Sequence, residues 1–152
     1  MARVAVMLLF ALPLAAADLA LKEAMPTEAW ALHQRSIPWL LMCCVVLVGL
    51  VAVCRVPSRL VPVAAGILAA GVVGNGASAL ANGLVVPNPL LIEGDSTVIA
   101  YNLADVWAVA GILFLTGVLA TWMIRNRHLF PSRTARSAAR AKAAVEDGEA
   151  IF

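Results

Sequence analysis

IPWLLMCCVVLVGLVAV, residues 37 to 53, carries no charged side chain anywhere along its length. It has no polar stripe on one side either, so a helix built from it is apolar around its whole circumference. Such a helix is stable only inside a core or a membrane, and this run is long enough for a short bilayer span. A basic turn closes it, with Arg55 and Arg59 flanking Pro57 and Ser58.

The rest of the chain has the same character. Over 152 residues the composition is 62% hydrophobic and 13% charged, with a mean hydropathy of +0.92. An average soluble domain is nearer half apolar and about a quarter charged. The shift excludes an ordinary soluble enzyme, a disordered chain and a nucleic-acid-binding domain, and leaves a membrane protein. Each span needs about 20 mostly apolar residues. Four spans therefore fit, with short loops and one tail.

Upstream, VAVMLLFALPLAAA (residues 4–17) lies between Arg3 and Asp18. A charged start, a short apolar core and small residues at its end read as a cleavable signal peptide. The same stretch, continued through Asp18 to Leu21, reads as a first span. Pro13 is tolerable there if neighbouring groups satisfy the freed carbonyl. Residues 22–36, KEAMPTEAWALHQRS, read as a loop or interfacial element, with Trp30 and Trp39 as headgroup-level anchors.

Downstream, residues 60–81 form the next span, within which Gly66, Ala70, Gly71 and Gly74 recur at near-helical intervals. Small residues so spaced let a second helix approach closely. Asn75, Ser78 and Asn82 bring polar groups to its end. Pro87 and Pro89 predict a loop, and LLIEGDST (90–97) an acidic one. The last span is read as 98–124, with Asn102 and Asp105 in its first turns and Trp122 at the far interface. The expected fold is thus an all-α membrane protein. A four-transmembrane-helix bundle occupies residues 1–130 (spans about 4–21, 37–53, 60–81 and 98–124), with a small extracytoplasmic element between helices one and two. Residues 131–152 form a polar cytoplasmic tail.

With four spans, Arg3, Arg55, Arg59 and the basic residues from Arg125 to Lys142 fall on one side, against Lys22 and Arg35 on the other. Basic excess marks the cytoplasm, so both termini are expected there, and loops 22–36 and 83–97 face outward. Three cysteines, Cys43, Cys44 and Cys54, lie in or beside one apolar run and suggest neither a disulfide framework nor a zinc site. His33 has no second ligand at metal-binding spacing. No cofactor and no metal are expected.

The polar residues of the spans need an explanation. An acid inside a span, such as Asp105, marks a functional site by default. The plainer reading is that it bonds Asn75, Ser78 or a backbone amide and pins helix four to helix three. Asn75 and Asn102 suit interhelical hydrogen bonds. Asp18 and Lys22, at i and i+4, share a helix face and can pair, weakly if the pair is at the surface. The glycines of GVVGNGASALANG follow no strand, so a dinucleotide fingerprint there would be false.

Three stretches in order are Gly74-Asn75-Gly76-Ala77-Ser78-Ala79, Val85-Val86-Pro87-Asn88 and Tyr101-Asn102-Leu103-Ala104-Asp105. Together they resemble the bacterial signal peptidase II family, the lipoprotein signal peptidases. That family's pattern is Gly-Asn-x-x-Asp-Arg, then Val-Val-Asp-Phe, then Phe-Asn-x-Ala-Asp opening the last helix. The intervals agree: nine positions from Ser78 to Pro87 and eighteen from Pro87 to Asp105. Asp18 to Lys22 resembles the family's Asp-Gln-x-Ser/Thr-Lys at the end of helix one, which favours a retained first helix. The resemblance implies a bacterial cytoplasmic membrane protein of the aspartic peptidase type, acting on prolipoprotein signal peptides.

The departures bear on the chemistry. Aspartic proteolysis needs two acids, one ionised to activate water and one protonated to donate to the scissile carbonyl. By the resemblance, Asp105 stands in one catalytic position. Pro87 occupies the other, and it can neither ionise nor donate. Ser78 and Ala79 replace the Asp and Arg of the first motif, and His33 to Pro38 bears no likeness to the family's element before helix two. Glu93 and Asp95 are the acids left in the intervening loop, and nothing in the sequence positions them as a pair demands.

Three functions are therefore open. The first is a catalytically impaired relative that keeps a groove for lipoprotein signal peptides or a partner's transmembrane helix, with Asn75, Asn102, Asp18, Lys22, Ser78 and Pro87 as binding or structural residues. The second is a working peptidase using Asp105 with a non-standard partner. The third is a structural subunit of a membrane complex. Membrane lipids are partners in all three, and nucleic acid in none.

Overall fold

The computed structural model describes residues 1–129, together with Ser137 and Ala143. The rest of the tail read as 131–152 lies outside the described residues. Four α-helices dominate: α1 (Ala2–Ala24), α2 (Ile37–Val53), α3 (Leu60–Ala81) and α4 (Leu103–Arg125). Of these, α1, α3 and α4 are long and apolar enough to cross a membrane, whereas α2 is a shorter apolar helix. The chain divides into two compact units, Met1–Leu119 and Ala120–Phe152, and the strands, the polar network and both cavities described below lie in the first.

The central element is α3. Its buried positions, from Val61 to Ala79, fall on more than one face. Against it α1 presents Met7, Ala11, Ala15, Asp18 and Lys22, the three-and-four spacing of a single helical stripe. The helices come close because the residues between them are small. A side chain at Gly66 would strike the Met7 carbonyl and Phe10, and one at Gly71 would strike Ala104 and Ala108 of α4. At one end of the unit all four helices contribute to an apolar core that includes Met7, Leu50, Cys54, Val61, Ala65, Leu115 and Val118. Toward the other end the buried side chains become polar: Asp18, Lys22, Asn75, Asn88 and Asn102. The outer faces stay apolar, with Leu9, Val48 and Leu113 about 70% exposed. Large apolar faces of this kind are unfavourable in water and favourable in lipid.

Two corrections to the sequence reading concern the connections. The chain is not all helical. Short strands β1 (Leu32–Gln34) and β2 (Val85–Pro87) pair antiparallel, with His33 opposite Val86. A hairpin of β3 (Leu90–Glu93) and β4 (Val98–Tyr101) forms a second two-stranded sheet. The element between α1 and α2 is therefore half of a sheet whose other strand follows α3. The last helix begins at Leu103, not at residue 98. Val98 and Ile99 are β-branched and suit a strand, and β3 supplies the partner. Between α3 and β2, Gly83 and Leu84 both have positive φ, at 63° and 71°. Leu84 is held there by its N–H bond to the Ala79 carbonyl, while its own carbonyl accepts from Arg35 N–H.

Candidate functional site

The polar end of the bundle is one continuous hydrogen-bonded chain that joins three helices and the strands. It starts on α1. Asp18 and Lys22 share a face, as their spacing requires, and pair at 2.7 Å with both side chains almost fully buried. The pair is therefore not a surface one: small residues on α3 and α4 close over it. Gly74 is the clearest case, since a Cβ there would lie 2.7 Å from Asp18 Oδ2.

Each member of the pair reaches a second helix. Lys22 Nζ donates to Asn75 Oδ1 of α3 at 2.8 Å. Asp18 Oδ1 accepts from the backbone N–H of Ala104 at 2.8 Å. That N–H belongs to the first turn of α4 and has no partner within its own helix. A carboxylate there also meets the positive end of the helix dipole. Asp18 therefore compensates the Lys22 charge and caps a distant helix at once.

Asn75 passes the chain on, donating through Nδ2 to Asp105 Oδ1 at 2.9 Å. Asp105 Oδ2 accepts from the backbone N–H of Asn102 at 3.2 Å, and Asn102 Oδ1 accepts from the Asp105 N–H at 3.0 Å. This reciprocal arrangement is a capping box, in which the residue before the helix and the residue three further on satisfy each other's amides. Asn102 Nδ2 donates to Asn88 Oδ1 at 2.5 Å and to the Pro87 carbonyl at 3.3 Å. Asn88 in turn donates to the Ala100 carbonyl at 3.3 Å and sits 3.1 Å from His33 Nδ1.

Of the residues singled out in the sequence, Asp18, Lys22, Asn75, Asn102, Asp105 and the Pro87 backbone are thus gathered into one network. Ser78 is buried but stands apart, its Oγ taking a 3.4 Å contact from Asn82 Nδ2. Asn88 is a residue that the sequence alone does not single out. It is almost completely buried and links both sheets to the start of α4. Its signal is its place between Pro87 and Pro89, where extended backbone is imposed and the side chain is free to bond at a distance.

Both oxygens of Asp105 are used, one by Asn75 and one by Asn102. Among the described residues no second carboxylate hydrogen-bonds with it. Asp18 is occupied by Lys22 and Ala104, and Glu93 and Asp95 are exposed in the hairpin. The arrangement fits the plainer expectation for Asp105, which ties α4 to α3 through Asn75.

The network borders an open space. A cavity of about 210 Å³ is lined by Trp39, Met42 and Val46 of α2, Gly71 and Asn75 of α3, and Ala108 of α4. Arg35 stacks over the Trp39 ring, 5.0 Å from its centroid, within the range of a cation–π contact. The groove is apolar except for Asn75, which hydrogen-bonds both Lys22 and Asp105. Comparison with the models of known protein families, with curated proteins and with solved structures returned no match.

Proposed function

We propose that this chain is a four-span membrane protein on the signal peptidase II plan that has kept the family's groove and lost its two-acid chemistry. In this reading α2 is the fourth span. Its 17 residues rise about 26 Å at 1.5 Å each, a little less than the roughly 30 Å hydrocarbon core. Both termini lie on the cytoplasmic side of a bacterial membrane, and the strands face outward. Helix one is retained, since its Asp18 and Lys22 hold α3 and α4 in place.

The observation that carries the proposal is that no second carboxylate hydrogen-bonds with Asp105 among the described residues. Its oxygens accept from an amide side chain and a backbone N–H. The residue in the second catalytic position is Pro87, whose carbonyl is taken by Asn102. General acid–base proteolysis needs a second titrating group to hold the other proton, and the site supplies an amide in its stead. What remains suits recognition. An apolar, partly unwound helical segment, such as a lipoprotein signal peptide, can lie in the groove with backbone carbonyls or amides toward Asn75. A partner's transmembrane helix is the other occupant of this chemistry.

Photo-crosslinking tests it. A photoreactive residue in place of Met42 or Val46 is expected to capture a prolipoprotein signal peptide in proteoliposomes and leave it uncut. A probe at Val109, on the exposed side of α4, captures little. Equal capture from both positions would remove the groove from the account. Cleavage by the unmodified chain, abolished by Asp105→Asn, would replace the proposal with a working peptidase.

A further inference from the structure

The opposite end of the same unit holds a larger cavity, of about 670 Å³, lined among others by Arg3, Val4, Val51, Cys54, Arg55 and Pro57. It lies between the start of α1 and the turn that follows α2. Three observations give it a charge preference. Arg3, an exposed residue like Arg55, is tethered at the cavity: its Nη1 donates to the Arg55 carbonyl at 3.3 Å and to the Val56 carbonyl. Those bonds use one nitrogen, and the remaining guanidinium donors of Arg3 and all those of Arg55 have no protein acceptor among the described residues. Second, the one ion pair among the described residues is Lys22–Asp18, so neither arginine has a carboxylate partner among those residues. Third, α1 starts at this cavity with no side-chain cap and no acid in its first turn, so the positive end of its dipole adds to the two guanidiniums.

Two guanidiniums and a bare helix start around one cavity attract an anion, and arginine matches phosphate oxygens in pairs. The floor is not purely polar. Val4, Val51 and Cys54 line the same space, so the ligand that fits carries a phosphate and an apolar body together. Basic pockets between helices on the cytoplasmic side suit anionic lipid headgroups. We infer that this cavity is a binding site for the phosphate headgroup of an anionic phospholipid, held by Arg3 and Arg55 with its acyl chains along α1 and α2. The inference rests on the membrane placement and is independent of the groove and of Asp105.

The test uses the full chain, purified in mild detergent and exchanged into nanodiscs of phosphatidylcholine with a small fraction of phosphatidylglycerol. Retained lipid is counted by native mass spectrometry. One phosphatidylglycerol per chain is expected to survive detergent washing, and phosphatidylcholine is not. In Arg3→Gln/Arg55→Gln, retention falls roughly thirtyfold, about what two basic groups contribute at an anionic surface. Arg3→Lys/Arg55→Lys, which keeps the charge and loses the paired donors, restores only part of it. Arg136→Gln/Arg140→Gln in the basic tail leaves it unchanged. Circular dichroism of each variant checks that the helices are intact. Equal retention of both lipids, indifference to the Arg3/Arg55 change, or loss on changing the tail would each overturn the site. Displacement of the lipid by millimolar inorganic phosphate would overturn the lipid as its ligand and assign the cavity to free phosphate. If the chain is soluble without detergent, the membrane placement fails first, and that is seen before any lipid is counted.

Discussion

Replacing Asp18 by Asn removes one charge from the buried pair and little else. The new amide oxygen can still accept from Ala104 N–H, 2.8 Å away in the native chain. Lys22, however, is left as a buried ammonium with Asn75 Oδ1 as its remaining acceptor. Breaking a buried pair from one side costs about 3–5 kcal/mol, because the surviving charge is uncompensated. Lys22→Met leaves the complementary defect, an unpaired Asp18 carboxylate and an Asn75 oxygen with no donor, at a similar cost. The double variant Asp18→Asn/Lys22→Met buries no charge, so it should cost less than either single change. The coupling energy from the cycle then exceeds the cost of either single change, about 3 kcal/mol or more. The assay is reversible unfolding in mixed micelles with increasing dodecyl sulfate, followed by tryptophan fluorescence. Single changes that add within about 0.5 kcal/mol would show that the two side chains do not interact, and the network would lose its first link.

Other outcomes follow from the same geometry. Gly74→Ala places a methyl group 2.7 Å from Asp18 Oδ2 and 3.2 Å from the Ala104 Cβ, and should destabilise by about 1–3 kcal/mol. Gly76→Ala, two positions on, meets nothing within 4 Å and should be neutral or stabilise by up to about 1 kcal/mol; the same unfolding assay separates them. Asn102→Ala removes the cap of α4 and the bonds to Pro87 and Asn88. It should cost about 2 kcal/mol or somewhat more and speed amide exchange at Ala104 to Val106 and in β2. If exchange there is unchanged, the capping box does not set the start of α4.

Helices α2 and α3 begin and end where the apolar runs do, because Ser36, the Arg55–Arg59 turn and the Asn82–Gly83 end punctuate them clearly. The start of α4 is less legible. VIAY is apolar and short, and periodicity does not separate a strand from a buried helix over four residues. The deciding feature is local: Asn102 followed by Asp105 is a capping-box spacing. The i, i+4 relation of Asp18 and Lys22 predicts their pairing. Its depth depends on Gly74, Asn75 and Ala104, contributed by helices far along the chain. Likewise the glycine spacing of α3 announces close packing, yet says nothing about which glycine meets which helix. The role of Asn88 is not legible in the sequence, because its partners, His33, Ala100 and Asn102, come from both sheets and the start of α4.

The most direct check on the account is a cleavage measurement. The purified chain, in proteoliposomes with a diacylglyceryl-modified prolipoprotein, is followed by mass spectrometry for the released signal peptide. No release above the protein-free control is predicted, and some release is predicted for Pro87→Asp/Ser78→Asp, which puts acids back at the two positions that lack them. Turnover by the native chain that disappears in Asp105→Asn would mean that Asp105 has a working partner, and the claim of lost two-acid chemistry would be wrong.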